Sequence, residues 1–182
     1  MTEARHLKLT FDTNCINLLK RKRVAALTEL EKLAHRGLIE ISSSPAMLDD
    51  LDRDPTYLGR KRREKAAAMP QHSPGTALML GRSGLLGVNA FLDGPPLHNY
   101  IEPIRGLLFP RLKSLIPRQE SDVLHLAYHI LNQADIFVTS DQKDILSKRD
   151  ELAKRFRIEV CTPEEALVRV MSALKEQSNP GS

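Results

Sequence analysis

The stretch Ala134-Asp135-Ile136-Phe137-Val138-Thr139-Ser140-Asp141-Gln142-Lys143-Asp144-Ile145-Leu146 sets an apolar run, Ile136 to Val138, between a polar approach and a pair of acids. A short run without alternation, closed by polar residues, reads as a strand buried on both faces, the kind found inside a parallel sheet. Asp141 falls just past its carboxyl end, and a helix is expected from Asp144 to Arg155. Beyond it, Phe156 to Val160 reads as a strand. Pro163 opens a last helix to about Lys175, and 177–182 form a tail.

Upstream, Glu120 to Asn132 reads as a helix with Val123, Leu124, Ala127 and Ile130 on one face. At the start of the chain, Leu7, Leu9 and Phe11 alternate through a strand from His6 to Phe11, and Asp12 follows it. A helix is expected from Cys15 to His35, closed by Gly37, then a strand from Leu38 to Ile41. Ser42, Ser43 and Ser44 lead into a helix opened by Pro45, carrying Met47, Leu48 and Leu51 and ending near Asp54-Pro55. Alternating strands and helices imply an α/β domain of three layers, with a central parallel sheet covered on both sides.

Residues 55–117 break this rhythm with prolines and glycines, and read as an insertion of loops and helices, one from Pro55 to Met69 and one from Asn99 to Leu115. Gly75 to Leu92 suits a lid-like or partner-binding loop. The whole is expected to be a single domain over 1–176.

Of the 182 residues, 41% are hydrophobic, enough for a core that Leu, Ile, Val and Ala must fill, since tryptophan is absent. The net charge of +4 and a pI near 9.2 suit a nucleic-acid partner. Basic residues gather at Lys20, Arg21, Lys22 and Arg23, and again at Arg60, Lys61, Arg62, Arg63 and Lys65; each cluster could hold a strand or be a solvated helix face. Cys15 and Cys161 form no zinc or disulfide pattern, no apolar run approaches a membrane span, and the first residues lack a signal-peptide core, so a cytoplasmic location is expected.

Ligands of an open α/β sheet bind at the carboxyl ends of its strands. Neighbouring parallel strands would bring Asp12 and Asp141 together there, and Asp122, in the first turn of its helix, faces the same edge. Each acid alone could be a helix cap; the joint pattern points to chemistry. Carboxylates gathered in one place stay ionised only beside a cation, and this donor set suits Mg²⁺ or Mn²⁺. Such ions hydrolyse phosphodiesters by acidifying an attacking water and stabilising the leaving oxygen.

Phe11-Asp12-Thr13-Asn14, Glu120-Ser121-Asp122-Val123-Leu124-His125-Leu126-Ala127 and the stretch from Ala134 to Leu146 together resemble the PIN domain family, over residues 6–52 and 118–162. PIN domains are mostly metal-dependent ribonucleases, among them VapC-type toxins of toxin–antitoxin pairs and RNA-processing nucleases. The resemblance implies that Asp12, Asp122 and Asp141 ligate the metal, that Asp144 supports the site, that Asn14 orients neighbouring carboxylates, and that Thr139 and Ser140 position the Asp141 loop. The family's further acid, often Glu, falls among Asp49, Asp50 and Asp52; Asp50, which directly precedes Leu51, is preferred. The expected reaction is endonucleolytic cleavage of RNA to a 3′-hydroxyl and a 5′-phosphate. Expected partners are RNA, an antitoxin or other regulatory protein, and a second copy of the chain.

Several residues take the plainer reading. His125 and His129, one helical turn apart, read as a polar helix flank; Cys15 as packing; Glu40 as solvent-facing; Asp135 as a loop residue; Arg82 as part of an ordinary loop. Two other functions compete. One is a catalytically inactive PIN-like module that binds RNA or a protein. The other, a haloacid-dehalogenase-type phosphatase, needs a second Asp where this chain has Asn14.

Overall fold

The computed structural model describes residues 6–17, 25–53, 56–68 and 97–178. Four strands, β1 (Leu7–Phe11), β2 (Ile39–Ser43), β3 (Ile136–Val138) and β4 (Glu159–Cys161), form one sheet in the order β2-β1-β3-β4, every pair parallel. The chain leaves β1 for β2 on one side and later returns to lay β3 on the other. The carboxyl ends of β1 and β3 therefore flank the point where the winding reverses, the place at which such sheets open a crevice.

Helices cover both faces. Leu9, Phe11, Ile39, Ile41, Ile136 and Val138 pack with Ile16 of α1 (Thr13–Asn17), Leu27, Leu30 and Leu33 of α2 (Ala25–His35), and Ala166 and Val170 of α8 (Pro163–Ser178). Met47 and Leu51 of α3 (Pro45–Asp52) and Ala66 of α4 (Tyr57–Ala67) join the same core. Phe137 and Val160 face the other way. They meet Ile104, Leu107 and Leu108 of α5 (His98–Leu108), Val123, Leu126 and Ala127 of α6 (Pro117–Leu131), and Leu152 of α7 (Arg149–Phe156). The Ile136–Val138 run thus feeds two cores at once, which is why it carries no polar alternation.

The register sets Thr10 beside Phe137, and this polar residue in the central strand is fully buried. Its hydroxyl lies 2.9 Å from Nδ1 of His129, whose ring packs edge-on against Phe137 at 5.6 Å. His129 is therefore a core residue, not the polar flank expected of it.

Several boundaries differ from the sequence reading. The expected helix from Cys15 to His35 is represented by α1 and α2, and 18–24, with Lys20 to Arg23, lie outside the described residues. β2 runs on through Ser43. α5 stops at Leu108, short of Leu115, because Pro110 disfavours helical backbone in the residue before it; Phe109 adopts φ −131° and ψ 56°. Leu112, expected on that helix, is exposed. α6 begins earlier than Glu120, at Pro117, where a missing N–H costs nothing. The Ile116 N–H donates to Gln119 Oε1 at 3.1 Å. α7 extends to Phe156, which was assigned to β4, and ends on Arg157 in the left-handed conformation at φ 60°. α8 continues to Ser178, past Lys175.

Gly75–Leu92, Arg82 and 179–182 lie outside the described residues. The ends of the expected insertion are built into the cores, since Ala66, Leu97 and Ile104 are fully buried. None of the described helices is long and apolar enough to cross a membrane.

Candidate metal centre

β1 ends at Phe11, and the Asp12 N–H still donates to the Val138 carbonyl of β3 at 3.0 Å, so the two strand ends are locked together where the acids emerge. Asp12 is buried. Its Oδ2 accepts from Thr139 Oγ1 at 2.6 Å and from Asn14 Nδ2 at 2.7 Å. The Asn14 amide also reaches Thr139 Oγ1 at 3.0 Å, and its Oδ1 accepts the Ser140 N–H at 2.9 Å. Asn14 thereby holds both the carboxylate of Asp12 and the backbone of the Asp141 loop, the positioning work expected of it. Thr139 does the same through one hydroxyl, which also accepts the Asp141 N–H at 3.0 Å. Ser140 enters this network through its backbone.

Asp141 ends its loop as a turn: Oδ1 accepts the N–H groups of Lys143 at 3.0 Å and Asp144 at 2.9 Å. This turn and the short 3₁₀ segment Leu146–Lys148 displace the start of α7 to Arg149, so Asp144 sits in a turn where a helix was expected. Oδ2 of Asp141 accepts from the guanidinium of Arg118, at 2.7 Å.

Asp122, Asp141 and Asp144 each present a carboxylate oxygen within 4.8 Å of the others. Asp144 is thus part of the group, where it was expected to stand behind it, and Asp12 lies beside the trio with its Oδ2 committed to Asn14 and Thr139. Oδ2 of Asp122 is buried and has no hydrogen-bond partner among the described residues. Burial, followed by the negative charges of Asp12 and Asp141, pushes the Asp122 carboxyl up to about 7, against the opposing pull of His125 and Arg118. Burial also raises Asp12, although the charge of His125 and the hydrogen bonds of Thr139 and Thr13 work the other way.

Of the candidate acids on α3, Asp50 is the one that turns inward. Its Oδ2 accepts from Thr13 Oγ1 at 3.0 Å and lies 3.3 Å from Nε2 of His125. Its Oδ1 accepts from Ser121 Oγ at 2.6 Å and from Arg53 at 2.9 Å. Asp49 is exposed, and Asp52 pairs with Arg63 at 2.9 Å.

His125 was expected on a polar flank and is fully buried at the centre of the site. Nδ1 lies 2.5 Å from Ser44 Oγ, and Nε2 lies 3.0 Å from Thr13 Oγ1 and 3.8 Å from Asp12 Oδ1. Ser44 stands at the N-cap of α3 without capping it, because its hydroxyl is committed to the ring. Burial works against an imidazolium here. The hydrogen bond to Asp50 and the charges of Asp12, Asp50 and Asp122 outweigh burial and raise His125. Burial opposes the ionised form of Asp50 as well, but hydrogen bonds from His125 and Ser121 hold its carboxyl below the usual range. The two shifts run in opposite directions, and both favour the charged forms of His125 and Asp50.

Ser121, Asp122 and His125 share one face of α6 by helical spacing, which was the signal available for Ser121 and His125. Thr13, between two recognised residues, carried none. Arg60, Lys61, Arg62 and Arg63 lie on α4, which packs against α3. Cys15 is buried in the core beside Val138, as expected. Glu40 is exposed, and Asp135, just before β3, ties that approach to β1 by accepting the Lys8 N–H at 2.8 Å.

Compared with known proteins, the chain matches no protein-family model, no curated protein and no solved structure.

Proposed function

We propose that this chain is a Mg²⁺- or Mn²⁺-dependent endoribonuclease of the PIN type. The observation that carries the reading is Asp122, whose buried Oδ2 has no partner among the described residues and whose carboxylate groups with those of Asp141 and Asp144. A carboxylate oxygen in that position costs several kcal/mol unless a proton or a cation meets it, on the order of the penalty for any unpaired buried charge. The donors are all carboxylates, the set that hard divalent ions prefer. Asp122, Asp141 and Asp144 would hold the ion, with Asp12 adding negative charge beside it. When bound, the ion supplies an acidified water and neutralises the leaving oxygen of a phosphodiester. The chain's own part is to fix those oxygens: Asn14 and Thr139 fix Asp12, and the turn at Lys143 and Asp144 fixes Asp141. The basic net charge fits a polyanionic substrate.

One observation favours the second reading, a catalytically inactive PIN-like module that binds RNA or a protein. Asp50, the residue preferred on resemblance for the family's further acid, spends both oxygens on His125, Thr13, Ser121 and Arg53. The deciding experiment is cleavage of labelled single-stranded and structured RNA with Mn²⁺, with Mg²⁺ and with EDTA, beside Asp12→Asn and Asp122→Asn variants. Metal-dependent cutting lost in both variants supports the nuclease. No cutting by wild type across a broad RNA panel, with no Mn²⁺ uptake by calorimetry, leaves the binding module.

A further inference from the structure

Arg118 is the second residue of α6, and Asp122 follows it one helical turn later. Its side chain is 70% exposed, yet Nη2 stands 2.7 Å from Oδ2 of Asp141, a residue that is itself buried. Asp122 and Asp144 add to the negative field around the guanidinium. Asp141 is bound on its other oxygen by two backbone N–H groups, so the oxygen that Arg118 holds is the one free of the main chain. Of the two Asp141 oxygens it is the one that a cation shared by Asp122, Asp141 and Asp144 could take without loosening the turn. Arg118 and the cation compete for one ligand atom.

We propose that Arg118 is an intrachain counter-ion of the carboxylate cluster, which a divalent cation displaces, and that the displaced guanidinium then grips a phosphate of the bound nucleic acid strand. This rests on the metal-dependent reading of the site. The long exposed side chain can leave Asp141 by rotamer changes alone, with no movement of α6. Once released it stands at the mouth of the site, and its planar fork matches two phosphate oxygens as it matched a carboxylate. Lys143, also exposed and joined through its N–H to the other Asp141 oxygen, is a second cation beside the same carboxylate. The exchange keeps the cluster beside a positive charge throughout, and it frees the arginine for an anion only once the cation is in place.

The test uses the full chain as wild type, Arg118→Ala and Arg118→Lys, with thermal melts to establish that each is folded. Mn²⁺ is titrated by calorimetry without nucleic acid. Binding of a labelled single-stranded RNA is followed by fluorescence anisotropy with EDTA and with Ca²⁺. Removing the competitor should tighten Mn²⁺ binding by Arg118→Ala about two- to fivefold, the worth of a partly exposed ion pair. Arg118→Lys, which keeps the charge, should stay near wild type in Mn²⁺ affinity. In RNA binding, wild type should gain affinity when Ca²⁺ replaces EDTA, and Arg118→Ala should lose most of that gain. Equal or weaker Mn²⁺ binding by folded Arg118→Ala overturns the counter-ion role while leaving the metal site standing. A gain from Ca²⁺ that survives in Arg118→Ala overturns the phosphate grip. If wild type and Arg118→Ala both take up no Mn²⁺, the metal reading falls and takes this proposal with it.

Discussion

Nε2 of His125 and Oδ2 of Asp50 stand 3.3 Å apart, a polar contact joining α6 to α3 with the ring fully buried. Replacing the imidazole with an apolar group of similar length, as in His125→Leu, removes the buried partner of the half-buried Asp50 carboxylate and leaves the Ser44 hydroxyl without the ring it meets. The expected loss is about 3–5 kcal/mol, the usual cost of breaking a buried pair from one side. Urea denaturation measures it. A loss below about 1 kcal/mol would mean that water replaces the ring at no penalty and that the pair is not structural.

The hydroxyl of Thr139 donates to Asp12 and accepts from Asn14 and Asp141. Thr139→Val keeps the shape of the side chain and removes all three contacts. It should cost about 1–3 kcal/mol in chemical denaturation, and Thr139→Ser should recover most of that. A valine variant as stable as wild type would contradict the bridging role.

In metal-free protein Asp122 keeps its proton to about pH 7, whereas in the unfolded chain it ionises near the ordinary value of about 3.9. Between these limits the native state binds more protons, so its stability falls as pH rises through the window. Melting temperature in EDTA should therefore be higher at about pH 5 than at about pH 8. Asp122→Asn should flatten that slope and raise the alkaline value. His125, also raised and in part by the charge of Asp122, contributes in the same direction, so the difference between wild type and Asp122→Asn reads the aspartate together with its effect on the ring. Asp50, held low, acts oppositely and only in more acidic solution, where its protonation removes stability. An EDTA melting curve in which wild type and Asp122→Asn share one slope would rule out the raised carboxyl.

A cation at the Asp122, Asp141 and Asp144 group relieves the same strain by replacing that proton. Mn²⁺ at about a hundred times its dissociation constant should stabilise wild type by roughly 2.7 kcal/mol. The gain should be larger at about pH 8 than at about pH 5, where protons compete. Thermal melts with and without Mn²⁺ at both pH values test this; an equal gain in Asp122→Asn would place the ion elsewhere.

The parallel sheet was legible because its central strands are locally unambiguous: Ile136 to Val138 has no polar position, and Leu7, Leu9 and Phe11 alternate cleanly. Asp12 and Asp141 could be placed for the same reason, since an acid just beyond a readable strand has a predictable height in the sheet. Helix ends were read less well. The end of α5 depends on Pro110, and the late start of α7 on the turn that Asp141 makes with its own neighbours. Those are local contacts that apolar periodicity does not register. His125 and Ser121 escaped because their partners, Ser44, Thr13 and Asp50, lie between 71 and 112 residues away. A polar side chain inside a core looks the same in sequence as one on a surface.

Thr139 meets Asp12 across 127 residues. During synthesis the first acid leaves the ribosome long before the strand that will orient it exists. β1 can pair early with β2, but the crevice has only one wall until β3 has emerged and docked. A nascent chain therefore carries a disarmed half-site for most of its elongation, whatever chemistry the finished site performs. Fragments ending before Thr139 would be held back by the same geometry, and the late, non-local closure of β3 onto β1 is the natural slow event in forming this protein.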